Sequence, residues 1–233
     1  MKQILNLWCG KGQNIPHILQ KGHITNVDIE QQFIDMAKKK FPQCDYLCCP
    51  AENLNFPDEY FDEIYAFDVL EHVKDLDIVM NKLHKLLKKD WLLYVEVPYD
   101  KSELALLKIN PDYHNQIGHE RIFYVENIHD TFWKYWFQVD TLQKQRWIAH
   151  IYLWILFKLN IPICDQMCTI QGKHKIIERL LFMVEIWFDE HLFHTWLKYI
   201  PVWIITIPVG KVISMIFPKT IVLYCSKKNV KYI

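Results

Sequence analysis

Short apolar runs and helical stripes take turns along the first 142 residues. The run Ile4-Leu5-Asn6-Leu7-Trp8 reads as a buried strand, and after Cys9-Gly10-Lys11-Gly12 the positions Ile15, Ile18 and Leu19 share one helical face. Pro16 fits the first turn of that helix, where a missing N–H costs nothing, and Gly22 fits its end. A second strand over 24–29 carries Asp28 near its C-terminal end and leads into a helix over 31–40 that presents Phe33, Ile34 and Ala37. A third strand over 45–49, a polar loop over 52–59 and a fourth strand over 61–66 follow. The spacing of Leu76, Val79, Leu83, Leu86 and Leu87 predicts a helix over 71–88, and 91–97 reads as a fifth strand stopped by Pro98. Residues 99–120, rich in Tyr, His, Asn and Pro, read as an irregular loop over the C-terminal edge of the sheet, where open α/β sheets bind ligands. A helix over 127–136 and a strand over 137–142 complete the alternation, which predicts a parallel sheet covered by helices.

From Trp147 to Pro218 the pattern changes. Residues 148–163 and 200–217 are strongly apolar, and 176–188 is amphipathic, with Glu178, Arg179 and Glu185 interrupting Ile177, Leu180, Leu181, Val184 and Phe188. Thr220 to Cys225 reads as a last strand before a basic tail of Lys227, Lys228 and Lys231. The expected division is a core over 1–146, an apolar helical insertion over 147–218, and a return to the core over 219–233.

Charge narrows the partners. Basic and acidic residues both number 27, so the chain lacks the positive footprint that a nucleic-acid backbone demands, and nucleic acid is excluded as a first expectation. The seven cysteines, at 9, 44, 48, 49, 164, 168 and 225, make neither a paired framework nor a CxxC motif and read as reduced thiols. Cys164, Cys168 and His174 lack a standard zinc spacing, so no metal is assigned there. The opening apolar run is too brief for the core of an export signal, and a cytoplasmic setting is expected.

The motifs, in their order, resemble the class I S-adenosylmethionine-dependent methyltransferases over residues 1 to about 142 plus the last strand. Asn6-Leu7-Trp8-Cys9-Gly10-Lys11-Gly12 stands where that family has a strand ending in an acidic residue and a Gly-x-Gly-x-Gly turn. Glycine serves there because the loop backbone passes close to the cofactor and often needs positive φ. Asp28 follows the second strand, Ala51-Glu52-Asn53-Leu54-Asn55-Phe56-Pro57 resembles the adenine-side loop, and Asp68-Val69-Leu70-Glu71-His72-Val73 follows the fourth strand. The resemblance implies an α/β, Rossmann-like, mostly parallel seven-stranded sheet with an antiparallel last strand and the insertion just before it. It implies S-adenosylmethionine as cofactor, with Gly10 and Gly12 at its methionine end, Asp28 at the ribose, Ala51 and Glu52 on the adenine side, and Asn6, Cys9, Ile29 and Phe67 in the same binding set. A nicotinamide-type reading would need a third glycine where Ile15 stands, and the later motifs have no place in it.

The implied activity is in-line transfer of the sulfonium methyl to an oxygen, nitrogen or carbon of a small-molecule or lipid-like acceptor. Glu71, His72 and His119 are the catalytic candidates, with His114, Tyr99 and Tyr113 lining the same space, because histidine can remove a proton from a hydroxyl near neutral pH. Asp68, Glu71 and His72 would start one helix. Similar clusters in quinone-precursor O-methyltransferases hold a divalent cation, although a glutamate favouring a helix N-terminus and a packing histidine explain Glu71 and His72 as well. The apolar insertion allows three outcomes: an interfacial or lid-like cap touching the inner face of a membrane through 148–217, an extension of the core, or a dimer interface. The alternative to an enzyme is a noncatalytic binding or membrane-associated module that keeps the fold without the cofactor.

Several positions depart from the family pattern. Asn6 replaces the acidic residue, Pro50 stands where an Asp often contacts the adenine, and Trp8, Trp91 and Trp136 stand on glycine sites. Glycine numbers 6 and tryptophan 9, whereas average usage would give roughly 16 glycines in a chain this long. Either the sequence has decayed from a cofactor-binding ancestor, or the source decodes UGA as glycine where tryptophan is written. The second explanation leaves Asn6 and Pro50 unaccounted for.

Overall fold

In the computed structural model, residues 1–145, 163–164, 169–170 and 220–228 are described. They fall into two compact units: 1–97, 123–143 and 222–228 make the first, and 98–122, 144–145, 163–164, 169–170 and 220–221 the second.

Strand β1 (Gln3–Leu7) buries Ile4, Leu5, Asn6 and Leu7 in succession, so both of its faces are covered and it belongs in the middle of a sheet. It pairs in parallel with β2 (His23–Asp28) on one side and β4 (Phe61–Phe67) on the other. β3 (Asp45–Cys48) adds to β2, and β5 (Leu87–Pro98) adds to β4, both in parallel. With β6 (Phe137–Gln145) and β9 (Thr220–Lys227) the sheet has seven strands in the order β3-β2-β1-β4-β5-β9-β6. The order reverses at β1, between β2 and β4, and this is the switch point at which open sheets bind ligands beyond the carboxyl ends of their strands. The fourth and fifth strands are neighbours, and Gly10 and Gly12 shape the turn after β1 with φ of 52° and 86°, as the sequence predicts.

Helix α1 (Ile15–Ile18) is a single turn with Ile15 and Ile18 buried, and α2 (Gln31–Lys40) buries Ile34 and Ala37. These side chains join Ile4, Cys9, Ile24, Cys44, Tyr65 and Phe67 in one apolar cluster. Helix α3 (Leu76–Leu86) covers 76–86 rather than the expected 71–88. Its start is fixed by Asp75, whose carboxylate accepts the Ile78 N–H at 2.9 Å, and it gives way directly to β5. Glu71 and His72 therefore sit in the turn before the helix, not on its first turn. Helix α6 (Ile128–Trp133) precedes β6 and is also shorter than expected.

The region 99–120 is not an irregular loop. It holds α4 (Asp100–Ile109) and α5 (Tyr113–Ile117), both in the second unit. Leu106, Tyr113 and Ile117 are buried, and α5 ends at Gly118 in the left-handed conformation, φ 71°. Its polar composition hid the apolar positions that hold it. Of the insertion, β7 (Ile163–Cys164) and β8 (Thr169–Ile170) are described, an antiparallel pair where helix was expected at least to Ile163. The rest of 147–218, including Cys168 and His174, lies outside the described residues. Among the described residues no helix is long and apolar enough to cross a membrane, and Cys9, Cys44, Cys48, Cys49 and Cys225 are free thiols.

Candidate functional site

The loop after β1 is folded back by its own backbone. Cys9 N–H donates to Val27 O at 3.0 Å, extending the β1–β2 ladder by one rung, and Gly12 N–H closes onto Cys9 O at 2.9 Å. A Cβ on Gly12 would lie 3.1 Å from the Phe41 ring and 3.3 Å from Ile15 Cδ1, and the left-handed φ adds strain to any side chain there. Opposite the loop, at the end of β2, Asp28 is 2% exposed. Its Oδ2 accepts the Gly10 N–H at 2.8 Å and its Oδ1 the Glu30 N–H at 2.9 Å. Burial pushes this carboxyl above its ordinary value, and the backbone N–H groups of Glu30, Gly10 and Ile29 pull it back. The carboxylate thus ties the ends of the two strands together at the switch point, each oxygen keeping acceptor capacity beyond its one backbone bond.

The other predicted cofactor residues spread around this centre. Asn6 is fully buried, its Nδ2 donating to Asn26 Oδ1 at 2.9 Å across the β1–β2 register, so its amide serves the strand pair. Cys9 packs in the apolar cluster, and burial, reinforced by the Asp28 charge, pushes its thiol up to about 12, which leaves it an unreactive filler. Ile29 is half exposed just past Asp28, and Ala51 and Glu52 lie in a short 3-10 turn after β3. Phe67 ends β4, followed by Asp68 with φ 46°, Asp68 N–H donating to Glu96 O at 2.9 Å. Glu71 is buried in the next turn, and His72 lies edge-on to the Trp8 indole, ring centroids 4.5 Å apart. This Trp8–His72 contact is invisible in the sequence, which separates the two by 64 positions; it brings the glycine turn and the turn after β4 together.

In the second unit, Glu103 on α4 is 3% exposed and its Oε2 meets His114 Nε2 and His119 Nδ1, each at 2.8 Å. The three ligand atoms lie within 4.8 Å of one another, close enough to hold a metal ion. Sequence reasoning found both histidines and missed Glu103, whose link to them depends on the unforeseen helices. Burial pushes the Glu103 carboxyl up, but the hydrogen bonds and charges of the two histidines outweigh it and hold it at about 2, against an ordinary value of 4.5. A carboxyl depressed on folding stabilises the fold above its unfolded value, and that stability drains as pH falls from about 4.5 toward 2. At about 1.4 kcal/mol per unit, roughly 3 kcal/mol is at stake. Urea unfolding of Glu103→Gln against the parent chain should show a large deficit at pH 6 that shrinks as pH approaches 2. A deficit independent of pH would assign Glu103 a packing role alone.

A parallel sheet with this switch point, a left-handed glycine turn after β1 and an acidic residue closing β2 are the arrangement that the resemblance to class I S-adenosylmethionine-dependent methyltransferases implies. Residues 5–95 match the methyltransferase domain family. A ubiquinone biosynthesis O-methyltransferase of Bartonella tribocorum is 35% identical over 98 residues, 40% of each chain. An (S)-coclaurine N-methyltransferase of Thalictrum flavum is 28% identical over 101 residues, 40% of this chain and 28% of that one. The chain thus spans two fifths or less of these curated relatives. Among solved structures, an S-adenosylmethionine-dependent methyltransferase of Archaeoglobus fulgidus aligns over 97% of this chain and 86% of its own with a TM-score of 0.55 at 14% identity. The cyclase SpnF aligns over 97% and 75%, with a TM-score of 0.59 at 17% identity. Likeness at that identity is a likeness of fold, and the fold hosts more than one chemistry.

Proposed function

We propose that the chain is an S-adenosylmethionine-dependent methyltransferase. The observation that carries the reading is the Asp28 carboxylate held against the Gly10 N–H at 2.8 Å, which sets a buried acceptor beside a glycine turn at the switch point. The residues fit the cofactor: Asp28 offers acceptor capacity to the ribose hydroxyls, Gly10 and Gly12 let the backbone approach the methionine end, and Ala51 and Glu52 lie on the adenine side. The cofactor supplies an electrophilic methyl group. The protein's share is to align it with the acceptor nucleophile, an effect worth several kcal/mol without any general base. Glu71 and His72, in the turn before α3, are the groups we assign to the acceptor side.

The acceptor we favour is a small molecule with an apolar body, delivered in the cytoplasm at the inner face of a membrane, and the support is the apolar composition of 148–163 and 200–217. Liposome co-sedimentation tests that part alone, with loss of binding expected when 148–218 is replaced by a short linker. Trp8 favours a second reading, a noncatalytic module, since its indole stands on the glycine turn against His72. Calorimetry separates the two. Micromolar binding of S-adenosylmethionine by the chain or by its Trp8→Gly variant supports the enzyme, and absence of binding by both leaves the noncatalytic module.

A further inference from the structure

Five described residues other than glycine have φ in the left-handed region: Trp8 (55°), Glu59 (53°), Asp68 (46°), Asp90 (60°) and Trp136 (63°). Aspartate tolerates that region through local hydrogen bonds, whereas a bulky side chain there is an outlier, since only a few per cent of residues other than glycine adopt it at all. Yet two of the four described tryptophans, at 8, 91, 133 and 136, do so.

Both sit where a chain turns by means of glycine. Position 8 opens the loop that goes on to Gly10 (φ 52°) and Gly12 (φ 86°), so three of five successive residues are left-handed. Position 136 follows α6, with its N–H on Trp133 O at 2.9 Å and its O accepting the Lys228 N–H at 2.9 Å. It turns the chain from helix into β6, the task that Gly118, φ 71°, performs at the end of α5. Neither indole gains a deep pocket in exchange: Trp136 is 42% exposed and Trp8 is half-buried. The composition carries the same imprint, because glycine and tryptophan together number 15, close to the roughly 16 expected of glycine alone.

We propose that residues 8 and 136 are glycine in the protein its own cell makes, the codon at both being UGA decoded as glycine. UGA differs from the glycine codon GGA in one base, and random decay has no reason to place tryptophan on left-handed backbone. Trp91 lies within β5 outside the left-handed region, so the structure adds nothing at that site. With glycine at 8 the turn becomes glycine-Cys9-Gly10-Lys11-Gly12, and the space beside His72 is released at the methionine end of the cofactor site. The assignment deepens the methyltransferase reading but is tested without it.

The coding DNA and the peptide masses of the protein from its source cell decide. UGA at both codons with glycine masses is the expected result, and UGG or a tryptophan mass at either position overturns the assignment. The chain as written gives a second readout: Trp8→Gly and Trp136→Gly should each raise the melting temperature, by about 2–4 °C, through relief of the left-handed strain. Trp133→Gly, in the ordinary helical backbone of α6, should lower it. If Trp8→Gly and Trp136→Gly both lower it as well, the strain argument fails. Glycine at both positions in the native protein, combined with failure of that protein to bind S-adenosylmethionine, would sink the methyltransferase reading and leave the glycine assignment standing.

Discussion

Asp28→Ala, made in the Trp8→Gly chain, lowers affinity for S-adenosylmethionine by about 100-fold or more. On the proposed reading two ribose hydroxyls lose a charged acceptor, and hydrogen bonds to charged groups contribute about 1.5–3 kcal/mol each, with 1.4 kcal/mol equal to a factor of ten. The Gly10 N–H, now 2.8 Å from Asp28 Oδ2, loses its partner too, so the glycine turn loosens as the ribose contact disappears. Asp28→Asn keeps one acceptor oxygen and falls in between. Calorimetry at fixed pH measures the series. Equal affinity for the parent and Asp28→Ala would show that this carboxylate ties strand ends and nothing more.

Gly22→Ala costs about 3 kcal/mol of stability, a large effect for one methyl group. The added Cβ would lie 2.4 Å from the Lys2 carbonyl oxygen and 2.9 Å from Lys2 Cβ, and the oxygen is backbone that cannot swing aside. That carbonyl accepts the His23 N–H at 2.8 Å and starts the β1–β2 ladder, so relieving the clash means parting two central strands at their first rung. Gly118→Ala, which violates a left-handed φ of 71°, sets the comparison at about 1 kcal/mol. Urea unfolding of both variants gives the order. A Gly22→Ala chain as stable as the parent would mean that the α1–β2 turn has freedom to retreat.

The central strands were legible because burial on both faces leaves short apolar runs, as in Ile4-Leu5 and Ile64 to Phe67, and because the punctuation around them was clear. Asp28 and the glycine turn were legible for a related reason: their separation is set by two short parallel strands whose lengths the pattern gives. Helix starts were harder. A polar turn rich in acidic residues reads like a first helical turn, and only the Asp75 cap separates residues 71–72 from α3. Helices α4 and α5 escaped because amphipathic stripes are short in ten and five residues and the polar side chains dominate any window drawn over them. The Glu103 trio escaped with them, since its convergence is a property of how α4 and the end of α5 meet. Trp8 and Trp136 were noticed as anomalies of composition, but their left-handed backbone belongs to the folded chain alone.

The place of β9 bears on how the molecule is made. The strands from β1 to β5 are complete by Pro98, and all of them lie side by side in the final sheet. The strand that separates β5 from β6 is β9, Thr220–Lys227, which follows β6 in sequence. As a ribosome delivers the polypeptide, five strands can therefore assemble early while the outer edge of β5 waits for a neighbour about 120 residues downstream. An open edge rich in apolar residues is a template for wrong partners, including the same edge on a second nascent copy. The hazard in producing this protein accordingly lies in the interval before β9 emerges from the ribosome, and slowing initiation or lowering temperature acts on that interval.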